Sequence, residues 1–86
     1  MAAYRILIKA SAEKEIEKLP KPDRVRVVAR IPALAKAPRP PGCEKLAGYD
    51  DRYRIRQGIF RIVYSIEDRE LLVWIVRVAH RKDVYR

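Results

Sequence analysis

Hydrophobic and polar residues change their period part-way along this chain. Between about residues 12 and 36 apolar positions recur every three to four residues; from Lys45 onward they alternate. The first spacing belongs to a helix with one buried face, the second to a strand whose side chains point to opposite faces of a sheet. Residues 4–9, YRILIK, are short and rich in β-branched and aromatic types, which predicts a strand. Ser11 offers an N-cap to a helix in which Ala12, Ile16 and Leu19 form one stripe. Pro20 and Pro22 end that helix. A second is expected from about Asp23, with Val25, Val28, Ile31 and Ala35 as its apolar stripe and Pro32 kinking it or ending it early. The two form a helical hairpin, and PRPPG at 38–42 is a stiff linker.

In the second half, KLAGYDD holds a short extended piece and a turn. Strands are expected at about 52–57, 59–66 and 71–78, with EDRE at 67–70 as the last hairpin turn. LLVWIVRVA is apolar on both faces, which predicts the central strand, with Trp74 in the core. The outline is β-α-α-β-β-β: an α+β fold, a small antiparallel-type sheet with the helical hairpin on one face, and a single domain over 1–86.

Charge sharpens this picture. The 86 residues carry 20 Lys plus Arg against 11 Asp plus Glu, a formal net charge of +9. Thirteen of the cations are arginines, whose planar fork suits phosphate. Such a domain meets nucleic acid, an anionic membrane or an acidic partner protein. Cys43 is the single cysteine, an incidental loop thiol that excludes an intramolecular disulfide and favours a reducing cytosol. One histidine and one cysteine cannot ligate a metal, and three scattered glycines make no phosphate loop, so neither metal nor cofactor is expected. Arg5 and Lys9 interrupt the N-terminal apolar run, so neither a signal peptide nor a membrane span is expected, and the protein reads as cytoplasmic.

The segment DRYRIRQGIFRIVYS poses the functional question. Period two puts Arg52, Arg54 and Arg56 on one face of the first strand and Arg61 on the matching face of the next. Alternating charge often means only a solvated exterior. Arg61 is more telling, because it interrupts an otherwise apolar strand. With the helices on the other face, this one is expected to hold Arg54, Arg56 and Arg61, with His80, Arg81, Lys82 and Tyr85 arriving at its rim. Guanidiniums can clamp a phosphodiester, and His or Tyr can move a proton or stack on a base.

From KLAGYDD to the closing HRKDVYR, the order of these pieces strongly resembles the RelE toxins of the RelE/ParE toxin–antitoxin superfamily. The strand and helices before them fit the same fold. The resemblance implies a toxin that cuts mRNA on the ribosome without metal, the RNA 2′-OH attacking the adjacent phosphate. It also implies a RelB-like antitoxin that wraps and neutralises a monomeric toxin. Residue by residue, it implies that Arg61 stabilises the transition-state phosphate, and that Arg81 and Tyr85 complete the site. Arg54 and Arg56 fall where the family has basic residues, often lysine.

Arginine stays protonated and is a poor general base, so proton transfer would pass to His80, or Arg56 would serve only as an electrostatic stabiliser. The expected catalytic set is therefore Arg61, Arg81, Tyr85, Arg56 and His80. Arg52, Arg54, Lys45 and Lys82 are expected to hold RNA. Two alternatives stay open: a ParE-like inhibitor of DNA gyrase, which is no enzyme, and a degenerate member that only binds RNA or its partner.

Overall fold

The computed structural model describes residues 3–80 and 82. Its elements are β1 (Arg5–Ile8), α1 (Ala10–Glu17), α2 (Lys21–Arg30), a 3-10 turn (Pro32–Ala35), β2 (Glu44–Lys45), β3 (Arg52–Gln57), β4 (Phe60–Glu67) and β5 (Leu72–His80). The five strands form one sheet in the order β1-β5-β4-β3-β2, antiparallel except for the β1–β5 pair. The α+β fold is thus borne out, with the extended piece at 44–45 becoming a short edge strand. β4, not β5, holds the centre; β5 lies between β4 and β1. β4 is buried along nearly its whole length, as a central strand should be.

Both helices pack on one face. Ala12, Ile16, Val27, Ile31 and Leu34 meet Ile55, Phe60, Ile62, Tyr64, Ile66, Val73, Ile75 and Val78 in one continuous core. In α2 the buried stripe is Val27, Ile31 and Leu34, whereas Val25 and Val28 are more than half or half exposed. The expected stripe was rotated, because the face that packs on the sheet carries Val27, Ile31 and Leu34; the helix also opens earlier than Asp23, with Pro20 as N-cap and Pro22 in the first turn. Pro32 ends the α-helix and opens the 3-10 turn, so it stops the helix rather than bending it. Ser11 does not cap α1: the N-cap is Lys9, with no side-chain bond, and Ser11 lies inside the helix.

The proline linker is fastened to the core by aromatic hydroxyls and one arginine. Tyr64, fully buried, donates its hydroxyl to the Pro38 carbonyl at 2.7 Å. Burial pushes that phenol far above its usual range, with the neighbouring Cys43 adding to the effect, so it remains a donor. Arg39 lies 5.0 Å over the Tyr53 ring and donates to the Tyr53 hydroxyl and to both Asp68 oxygens. Tyr4 donates to Asp68 as well, at 2.6 Å, which ties β1 to the same knot. At the β3–β4 hairpin the two-residue loop is Gly58–Ile59, and Gly58 has φ +63°, a conformation suited to glycine at the first central position.

Candidate nucleic-acid interface

The cross-strand register composes the helix-free face row by row. Side chains directly opposite one another share a face, so Arg56 stands beside Arg61 and Ala79, Arg54 beside Val63 and Arg77, and Arg52 beside Ser65 and Trp74. The alternation in β3 and β4 was legible in advance; Arg77 was not. Counting by twos from the core residue Ile75 would bury Arg77. A register shift in β5, opposite the Val63/Tyr64 step, returns Val78 to the core and places Arg77 opposite Val63, among the arginines. Its sequence signal was the lone charge in an apolar strand. Trp74, expected in the core, is half-buried on this face.

Position decides the character of each cation. Arg61 is only 5% exposed, whereas Arg56 directly across is exposed. A cation buried mid-strand is no solubility device, and like charges set opposite each other weaken a sheet. Two outer arginines have carboxylates beside them. Arg54 reaches Glu44 at 3.1 Å, and Arg77 lies 3.5 Å from Glu15 of α1. Glu15 also accepts the Val78 backbone N–H at 2.9 Å, capping the edge of β5 beyond the last β1 pair at Ile75. A phosphate entering this face would meet guanidiniums held by a rigid sheet, with their counter-charges at the margins.

Other candidates are dispersed. His80 pairs with Phe60, and its ring stands edge-on to that side chain at 6.0 Å, so it leaves the sheet on the helix-packed face, away from Arg61. Its Nδ1 accepts the Lys82 backbone N–H at 3.2 Å. Lys82 is exposed. Lys45 sits opposite Tyr53 and so also belongs to the helical face, at the sheet edge. Arg81 and Tyr85 lie outside the described residues. Among the described residues there is no cluster of His, Cys, Asp or Glu able to hold a metal ion.

A different surface opens on the helical side. Ile6, Ile8, Ile16, Val28, Ile31 and Pro32 line an apolar groove of about 590 Å³ between β1 and the two helices. Ile8 and Val28 are substantially exposed there, and among the described residues β1 is the last strand of the sheet on that side. No helix among the described residues is long and apolar enough to cross a membrane.

Comparison with known proteins decides the family. Residues 6–85 match the family model described as ParE toxin of the type II toxin–antitoxin system parDE. The chain belongs to the RelE/ParE superfamily of type II toxins. Toxin RelG of Mycobacterium tuberculosis is 30% identical over 88 residues, covering 96% of this chain and 97% of that protein. A putative RelE-like toxin of Escherichia coli is 33% identical, covering 95% and 90%. The RelE–RelB complex of Pyrococcus horikoshii contains a chain that superposes with a TM-score of 0.81 at 28% identity, covering 94% of this chain and 98% of that one.

Proposed function

We propose that this RelE/ParE-family chain is a ribosome-dependent mRNA endoribonuclease held in check by a RelB-like antitoxin. The observation that carries this reading is the opposition of Arg56 and Arg61 on the helix-free face, with Arg61 buried. A phosphate lying between the two guanidiniums would accept charge-assisted hydrogen bonds from both. In the reaction the RNA 2′-oxygen bonds to the adjacent phosphorus and the bond to the 5′-oxygen breaks. The 2′-OH loses its proton, and the leaving oxygen gains one. Arg61 and Arg56 would stabilise the charge that builds on the non-bridging oxygens, aided by the low dielectric around Arg61. Arginine cannot take the 2′-OH proton at neutral pH, and His80 stands on the other face, so electrostatic stabilisation is the main service of the described residues.

The antitoxin reading rests on relatives solved with RelB antitoxins and on the apolar groove beside β1, whose exposed Ile8 and Val28 suit a partner's hydrophobic segment. The test is cleavage of an mRNA on programmed ribosomes by wild type and Arg61→Ala. Wild type should cut, and the variant should lose ~100-fold or more. The family model's ParE description favours a second reading, gyrase inhibition without catalysis. Wild type that leaves mRNA intact and blocks gyrase supercoiling would replace the first reading with the second.

A further inference from the structure

Tyr49 lies in the loop between β2 and β3 and belongs to none of the features used so far. Nearly half of its surface is exposed, at 47%. The Arg52 guanidinium lies over its ring, 4.5 Å from the centroid. Arg52 leaves β3 on the same face as Arg54 and Arg56, so this contact draws the Tyr49 ring to the rim of the arginine face. The loop itself is tied down. Leu46 N–H donates to the Arg52 carbonyl at 2.8 Å, Tyr49 N–H to the Leu46 carbonyl at 3.3 Å, and Ile66 N–H to the Asp51 carbonyl at 2.9 Å. Gly48, at φ +85°, makes the sharp turn that presents the ring.

We propose that Tyr49, pinned by Arg52, is a stacking platform for a nucleobase of single-stranded RNA, beside the phosphate-binding arginines. This deepens the RNA reading above and rests on it. An aromatic ring with a guanidinium over it and nearly half of its residue surface exposed pairs two stacking elements that single-strand binders use. Because the ring is already ordered, little freedom is lost when a base lands on it. The exposed Asp50 and Asp51 beside it repel phosphate, which directs the backbone toward Arg52 and Arg54 and leaves Tyr49 to the base. Along β3, Arg52 is about 13 Å from Arg56 at the usual strand rise. The platform therefore takes a flanking base, not the one beside the phosphate that meets Arg56 and Arg61.

The experiment titrates wild type, Tyr49→Ala and Tyr49→Trp into a fluorescent oligonucleotide, 2′-O-methylated throughout so that it cannot be cut, and into an abasic version with the same phosphates. Thermal melts of each variant run alongside, because a merely structural contact moves stability and leaves RNA affinity alone. Tyr49→Ala should bind the base-bearing oligonucleotide about tenfold more weakly, and Tyr49→Trp should keep wild-type affinity. The abasic strand should not distinguish the proteins, and the salt dependence should be unchanged, since no phosphate contact is lost. Equal affinity of wild type and Tyr49→Ala for the base-bearing strand overturns the platform, as does an equal loss on the abasic strand. Wild-type cleavage on programmed ribosomes is scored separately. If wild type cuts while Tyr49→Ala binds normally, the platform falls alone. If the Tyr49 effect appears without cutting, the nuclease reading falls and the platform stands. If wild type neither binds nor cuts, both fall.

Discussion

Tyr64→Phe removes one oxygen from the middle of the core, and the structure says what that oxygen does. The ring is fully buried and stacks on Tyr53 with centroids 6.1 Å apart, contacts that phenylalanine preserves. What disappears is the 2.7 Å bond to the Pro38 carbonyl, the anchor of the proline linker. Losing a bond of this kind while leaving its half-buried partner short of a donor costs about 1–2 kcal/mol. For a domain of this length each kcal/mol lowers Tm by about 4–8 °C, so a fall of roughly 5–15 °C is expected in a thermal melt followed by circular dichroism. Tyr64 and Arg61 leave β4 on opposite faces. Cleavage on programmed ribosomes, measured well below the variant's Tm, should therefore match wild type. A melt within about 2 °C of wild type would refute the anchoring role. Lost cleavage by a fully folded variant would refute the independence of the two faces.

Other expectations follow from the same geometry. Val28→Glu charges the apolar groove at a half-exposed position, so it should weaken antitoxin capture in a titration while Tm stays close to wild type. Arg39 and then Tyr4 hold the Asp68 carboxyl below its ordinary value. A depressed folded pKa gives stability that is fully present above the unfolded value of about 3.9 and is lost as pH falls through the folded one. The Tm gap between wild type and Asp68→Asn should thus be open at neutral pH and narrow in acid; a gap constant from pH 7 to pH 2 would refute the linkage. Arg56→Gln should reduce the slope of log affinity against log salt by about one for RNA binding, since one phosphate contact is removed. An unchanged slope would place Arg56 outside the phosphate path.

How much of this was legible in the sequence can be argued from single residues. The three long strands, the hairpin turns and the shared face of Arg52, Arg54, Arg56 and Arg61 followed from period two, which the covalent geometry of a strand enforces. Pro32 marked a kink or an early end to the second helix, because its ring removes the N–H that the helix would bond. Tertiary structure decided the remainder. The rotation of α2, which exposed Val25 and Val28, depended on which stripe met the sheet. Arg77 joined the arginines because a register shift against β4 broke the alternation of β5, and His80 went to the helical face through its pairing with Phe60. Tyr49 met Arg52 only through a folded loop. Local sequence sets the period of an element, but its phase relative to the rest is fixed by long-range pairing and packing, which no short stretch encodes.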